Sequence, residues 1–259
     1  MSLIHPTAIV DPQAELHPTV VVGPYSVIEG EAVIGAGTEI GAHVYIDRYT
    51  KIGRDCRIYP FASVGTPPQD KKFRGEKTEL IMGDENVIRE YVTINRGTPD
   101  GGGVTTIGNQ NLLLAYVHVA HDCHLGNGIT MVNVATLGGH VTLEDHAVIG
   151  GLSAVHQFVR IGSHAYVGGK TGVSQDIPPF VLASGERAKL FGLNIVGLKR
   201  YNFSNEVILA LKKAYQTVIR SHLTIQDAMH KVEKEVPLLP EVTQFLDFIR
   251  QSQRGIPRR

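Results

Sequence analysis

A strict period of six constrains the fold of this chain more than any other feature of its 259 residues. From Ile4, every sixth residue is aliphatic through Val10, Leu16, Val22, Ile28, Ile34, Ile40, Ile46, Ile52, Ile58 and Val64. The rhythm returns at Met82, Ile88 and Ile94. One residue out of phase, it then runs from Ile107 to Val173. Six is neither the period of an α-helix nor that of a long strand. It fits short strands separated by corners, three units closing a triangular turn of eighteen residues. Such turns stack at about 4.8 Å and form a parallel β-helix in which residues eighteen apart share a column. In twelve units the residue after the aliphatic one is glycine, which implies a turning backbone there. The position four after it is nearly always small, as at Ala8, Ala14, Ser26, Ala32 and Cys56, and should face a crowded interior.

The repeat lapses twice. Residues 66–80 put Asp70 and Glu76 where aliphatics are due and should leave the coil as a loop, and residues 96–106, with Thr-Pro-Asp-Gly-Gly-Gly, absorb the shift of phase. Loops on a rigid scaffold are where binding groups concentrate. The pattern ends at Asp176-Ile177-Pro178-Pro179. Ser204 ahead of Val207, Ile208, Leu211, Ala214, Tyr215, Val218 and Ile219 predicts a capped amphipathic helix. Thr224 with Asp227 opens a second, and a third follows Pro240. The expectation is a mainly β chain, a parallel β-helix over residues 1–182 followed by a small α-helical domain over 183–259.

Basic and acidic side chains balance at 25 each, which argues against a nucleic-acid binder that works by phosphate neutralisation. The balance is uneven along the chain. Residues 1–182 hold 12 basic and 18 acidic side chains and residues 183–259 hold 13 and 7, so the helical end could offer a basic face to an acidic partner. No apolar run approaches the roughly 20 residues that span a bilayer, and no signal segment opens the chain. A cytoplasmic protein without a transmembrane segment is expected. Cys56 and Cys123 both fall in the small-residue slot and read as inert packing.

Seven of the twelve histidines lie between residues 118 and 164, and histidine is the side chain best suited to exchange a proton near neutral pH. Stacking separates them. His121, Gly139 and Gln157 share a column, with Asp122 below His140 in the next. Gly139 would then bare its amide beside His121, placing a base and a hydrogen-bond donor within one coil spacing. Adjacent side chains on a strand point oppositely, so contact between His121 and Asp122 requires a corner. His156 stands where glycine is commonest, as do Arg89 and Asn95. His5, His17 and Tyr59 share that slot far from the cluster, so repeat drift competes with function there.

Val119-Ala120-His121-Asp122-Cys123, Gly138-Gly139-His140, Ala154-Val155-His156-Gln157-Phe158 and Asn194-Ile195-Val196-Gly197-Leu198-Lys199-Arg200 occur in an order that resembles the hexapeptide-repeat acyltransferases. Within them the likeness is to the sugar-nucleotide O-acyltransferases that begin lipid A synthesis, and it covers essentially the whole chain. The resemblance implies a left-handed coil and a homotrimer with clefts between subunits. It also implies metal-independent transfer of a 3-hydroxyacyl group from acyl carrier protein to the 3-hydroxyl of UDP-N-acetylglucosamine. No cofactor is implied beyond the carrier's phosphopantetheine arm.

By the same resemblance His121 is the general base, Asp122 orients and polarises it, and the Gly139 amide is the oxyanion donor. His118, His140, His156 and Gln157 line the substrate cleft. Gln69, Asp70 and Lys72 contact the sugar nucleotide, and Asn194 and Arg200 meet its nucleotide end, where Tyr201 and Val196 replace a basic and an acidic residue of some relatives. An acyl-length ruler maps to Gly169 with Tyr166 on the same coil, although Gly168-Gly169 equally reads as another repeat corner. Competing readings are an acyltransferase for a related sugar nucleotide, a non-catalytic assembly coil, and a zinc enzyme of the carbonic anhydrase kind. The last needs two histidines five apart, a spacing missing from the 118–164 cluster.

Overall fold

The computed structural model describes residues 3–258. Strands of mostly two residues stack into three sheets, of nine, eight and ten strands, which form the faces of a triangular coil. All neighbours pair in parallel except one terminal hairpin. On the first face the register runs His118↔Thr136 and Thr136↔Ala154, eighteen residues apart in uninterrupted coil, while Thr93↔His118 spans an excursion and is wider. The six-residue aliphatics point inward and carry the core: Ile46, Val64, Leu113, Leu137 and Ile149 are fully buried. Burial of this kind is worth about 1.5–3 kcal/mol for each such side chain, before the entropy of ordering the chain is counted.

The glycines after those aliphatics have a different purpose from the one expected. Apart from Gly65, they are not the left-handed residues. Positive φ falls two positions later, on Tyr25, His43, Phe61, Tyr91, Asp122, His140 and Phe158 among others. What glycine supplies is closeness between coils: a Cβ on Gly23 would sit 2.7 Å from the carbonyl of Gly41, and one on Gly35 2.7 Å from that of Gly53. The small-residue slot is interior as expected, with Ala32, Cys56 and Cys123 fully buried. Several polar residues there bond across coils: the Ser26 hydroxyl donates to the Gly41 carbonyl at 2.7 Å, and Asn111 Nδ2 to Gly126 at 3.0 Å, whereas the buried Thr50 and Thr171 hydroxyls have no hydrogen-bond partner among the described residues.

Because the left-handed corners hold whole side chains, one edge of the coil becomes a ladder of rings. Tyr25, His43, Phe61, Tyr91 and Tyr116 stack in succession with centroids 4.8–5.1 Å apart, and all five are exposed.

The two excursions are slightly shorter than the lapses in the repeat. The first runs over residues 67–78, between strands Ser63–Thr66 and Glu79–Met82. The second runs over 96–103, between Thr93–Asn95 and Val104–Ile107, and contains a single 3-10 turn at Pro99–Gly101. Both are tied to the coil by Arg96, which is buried with Asp47 at 3.0 Å, donates to the Gly65 carbonyl and lies 5.5 Å from the Phe73 ring.

The change to helix comes later than residue 183. Val181–Ser184 continues the third face in parallel with Tyr166–Val167, then turns back antiparallel through Lys189–Leu193 and closes that end of the coil. Four helices follow: α1 (Ile195–Arg200), α2 (Asn205–Tyr215), α3 (Ile225–Glu235) and α4 (Pro240–Gln251). Ser204 and Thr224 cap α2 and α3 by accepting from the amides of Val207 and Asp227. Beyond α2 the chain passes into a π turn, Gln216–Arg220, which keeps Val218 and Ile219 buried. The short α1 was not legible in the sequence, because six residues are too few to display a helical period. No helix among the described residues is long and apolar enough to cross a membrane.

Candidate active site

His121 and Asp122 meet because Asp122 is a corner. Its φ of 59° turns the backbone so that two consecutive side chains fall on the same side, and His121 Nδ1 lies 2.7 Å from Asp122 Oδ2. The Asp122 side chain is wholly buried, whereas His121 keeps 17% of its side-chain surface exposed. Burial alone would push the Asp122 carboxyl up. Hydrogen bonds from His121 and from the hydroxyl and amide of Thr98 outweigh it and hold the group below its ordinary range. A carboxylate is acceptor-only, so Nδ1 of His121 carries the proton and Nε2 presents a lone pair.

Gly139 lies directly over this imidazole. A Cβ there would stand 2.7 Å from Cε1 and 2.9 Å from Nε2 of His121, so only glycine leaves room for the ring. Among the described residues the amides on either side are bonded, Gly138 to Val155 and His140 to His121, while no acceptor takes the Gly139 amide. The His121 imidazole and an amide without a protein acceptor among the described residues thus lie one coil spacing apart.

The remaining predicted cleft residues gather around this pair. His140, another left-handed corner, sets its ring edge-on to His121 at 5.3 Å, has Nε2 3.7 Å from Asp122 Oδ2, and stacks on Phe158 at 4.4 Å. Burial lowers its pKa, against the pull of Asp122, and so favours the neutral ring beside the base. His118 has Nδ1 2.7 Å from Thr93 Oγ1 and is likewise shifted down, by burial and then by His121. His156 and Gln157 are exposed at the next coil, the His156 ring bonded to the Gln157 carbonyl at 3.1 Å. Asp70 approaches from the first excursion closely enough to act on the charge of His140, and its carboxylate accepts from the Lys72 amide at 2.9 Å. Lys72 reaches Asp100 of the second excursion at 3.6 Å, and Gln69 is exposed nearby.

His121, Asp122 and His140 could also bring metal-ligating atoms within 4.8 Å of one another. Both Asp122 oxygens, however, already accept hydrogen bonds, so an ion would have to displace Thr98 or His121. Burial and the free lone pair suit proton transfer better. Cys123 is no rival nucleophile, for burial pushes its thiol up to about 12.

The likeness to known proteins is extensive. Residues 176–257 match the family model described as UDP N-acetylglucosamine O-acyltransferase, domain 2, and residues 13–48 match the bacterial transferase hexapeptide repeat. An acyl-[acyl-carrier-protein]--UDP-N-acetylglucosamine O-acyltransferase of Janthinobacterium sp. (strain Marseille) is 55% identical over the full length of both chains, and one of Thermodesulfovibrio yellowstonii is 53% identical, again over both whole chains. The crystal structure of UDP-N-acetylglucosamine O-acyltransferase from Moraxella catarrhalis superposes with a TM-score of 0.95 at 43% identity, covering 99% of this chain and 100% of that one. This chain belongs to the UDP-N-acetylglucosamine O-acyltransferase family. The fold it shares with these structures is the left-handed parallel β-helix with an α-helical tail.

For a UDP-N-acetylglucosamine O-acyltransferase, the second group of predicted residues lies apart from the first within one chain. Asn194 and Arg200 line a cavity of 820 Å³ with His146, His164, Tyr166, Val196 and Tyr201, and this lining includes none of the residues around His121. Asn194 caps α1 through the Gly197 amide and donates to the His164 carbonyl at 3.0 Å. Tyr201 packs on the rings of both His146 and His164 at 4.7 Å. Tyr166 faces this cavity, whereas Gly169 is not among its lining residues and a Cβ there would press on the Gly151 carbonyl at 3.2 Å.

Thr98 escaped the sequence reading. Its hydroxyl and amide reach Asp122 at 2.6 and 2.8 Å from twenty-four residues away. The segment that carries it has lost the period, so no column rule links the two. Phe158 follows His156 and Gln157 at a corner of its own, and its stacking on His140 is not legible in a period that does not show which corners carry whole side chains.

Proposed function

We propose that this chain moves a 3-hydroxyacyl group from the thioester of acyl carrier protein to the 3-hydroxyl of UDP-N-acetylglucosamine, the first step of lipid A biosynthesis, in the cytoplasm. The observation that carries the mechanism is the His121–Asp122 pair with the free Gly139 amide against it. Nε2 of His121 takes the proton from the sugar hydroxyl as that oxygen attacks the thioester carbonyl, because an un-ionised alcohol is a poor nucleophile without a base in reach. The carbonyl oxygen gains the negative charge, and the Gly139 N–H donates to it. Collapse of the tetrahedral intermediate reforms C=O and breaks the C–S bond. The imidazolium returns its proton to the departing phosphopantetheine thiolate, leaving O-acylated sugar nucleotide, free carrier thiol and a neutral His121. Asp122 fixes the tautomer and favours the transient imidazolium.

His118, His140, His156 and Gln157 line the acceptor side of this site, with Gln69, Asp70 and Lys72 holding the sugar nucleotide. Asn194, Arg200 and Tyr201 form the nucleotide end in the cavity against α1, and Gly169 with Tyr166 sets the acyl length. Separation of these two groups within one chain favours a homotrimer in which the cleft combines faces of neighbouring copies. The reaction needs no metal. The deciding experiment is product formation from UDP-N-acetylglucosamine and 3-hydroxyacyl carrier proteins of graded length, with and without EDTA. Turnover unaffected by EDTA and peaking at one length is expected. No product at any length would sink the reading, and loss of turnover with EDTA would return the His121, Asp122 and His140 cluster to metal chemistry.

A further inference from the structure

We propose that Thr98 is a positioning residue for this acyl transfer: its hydroxyl and amide together hold the Asp122 carboxylate in the one orientation that directs His121. This rests on the reading of His121 as base. Three observations carry it. First, both Asp122 oxygens are engaged from one residue, Oδ1 by the Thr98 amide at 2.8 Å and Oδ2 by the hydroxyl at 2.6 Å. Second, the direction of the hydroxyl bond is set: Thr98 Oγ1 accepts from the Gly101 amide at 3.2 Å, which leaves its proton for Asp122. Third, the turn that carries Thr98 is shaped to the carboxylate. A Cβ on Gly101 would overlap the Asp122 carboxyl group, so the chain can lie over it only as glycine. Thr98 itself is 4% exposed, so water does not replace it.

The hydroxyl shares Oδ2 with His121 Nδ1. Two donors on one oxygen divide its charge, and removing one leaves the full acceptor strength on the imidazole. The titratable groups facing His121 are Asp122 on its own corner, His118 on the preceding strand and His140 on the next coil, with Asp70 and His124 acting on His140. Thr98 contributes no charge to this set. Its loss is therefore felt through Asp122 alone, and it favours protonated His121.

The test compares full-length Thr98→Val and Thr98→Ser with wild type. In protein labelled with 15N-histidine, with the His121 signals assigned through His121→Gln, Thr98→Val should raise the His121 titration midpoint by about half a pH unit or more, while Thr98→Ser leaves it in place. In turnover, Thr98→Val should lower kcat about tenfold with both KM values within about twofold, move the acid limb of kcat/KM to higher pH, and be rescued by serine. Thr98→Ala removes the same donor without the second methyl and gives the same comparison should valine disturb the turn. An unmoved His121 titration in the variants lacking the hydroxyl overturns the proposal, as does an equal shift in Thr98→Ser. Wild-type protein that transfers no acyl group overturns the functional reading instead, and the titration still decides the role of Thr98.

Discussion

At the scale of single residues, the site is made by where side chains leave the backbone. His121 lies just before a left-handed corner and Asp122 on it, and that is the whole reason consecutive residues form a pair. His121→Ala should lower kcat by about a thousandfold, the range of a lost general base. Because Thr98 still holds both oxygens of the buried Asp122, the variant should stay folded, with a melting temperature only modestly below wild type. Circular dichroism melts beside product assays check both, and a folded, fully active variant would remove His121 from the mechanism. The column of His121, Gly139 and Gln157 was legible because eighteen-residue stacking is arithmetic. Contact with Asp122 was legible only as a condition, a corner being required there, since the sequence marks corners with no constant residue. Tyrosine, histidine, glutamate, aspartate and phenylalanine all occupy them.

At the scale of elements, the two excursions behave differently although both interrupt the repeat. Lys72 and Asp100 join their tips in an ion pair with side chains 81% and 79% exposed, too open to matter much for stability. Lys72→Ala is therefore expected to raise KM for UDP-N-acetylglucosamine about tenfold, with an unchanged melt, as for a single charge removed from a diphosphate. Unchanged apparent affinity would reject its role. Arg96 is the opposite case. It is buried against Asp47, and Arg96→Met leaves that carboxylate with no cation and only the Arg48 amide as donor, for an expected loss of about 3 kcal/mol in urea unfolding. Asp47→Asn in the same chain should restore part of it, and an unchanged unfolding midpoint in the single variant would show the pair contributes nothing. The excursions could be read in the sequence as places where aliphatics fail, but their anchors could not. Arg96 meets Asp47 across forty-nine residues, and a broken period gives no register from which to infer it.

At the scale of the molecule, acid should loosen the helical end first. His164 is shifted down to about 4 from 6.5, by burial and then by neighbouring His146. Between those values the unfolded chain binds the proton and the folded chain does not, so stability falls as pH drops from 6.5 toward about 4 and levels off below. Melting temperatures of wild type at pH 7.5 and pH 5 should differ more than those of His164→Phe, by the equivalent of roughly 1–2 kcal/mol. Equal slopes would show that His164 titrates normally. The division into coil and helical tail was visible in the pattern. Its boundary was placed too early because the closing hairpin, Val181–Ser184 with Lys189–Leu193, follows no period of six.

The ladder from Tyr25 to Tyr116 bears on how such a coil comes apart. The chain has no tryptophan, so its near-ultraviolet signal comes from tyrosine and phenylalanine, and here four of those rings are stacked in fixed order with His43 among them. Ile4, Val10 and Leu16 are only partly buried, while the far end is closed by the hairpin and helices. In a stacked array whose turns hold only their neighbours, loss begins at the less covered end. The first turn places Thr7 in this column, so each turn that peels away after it removes one rung, starting with Tyr25. The protein thus carries an optical scale along its own axis, on which fraying from the amino-terminal side dims the ladder before it disturbs the imidazole of His121.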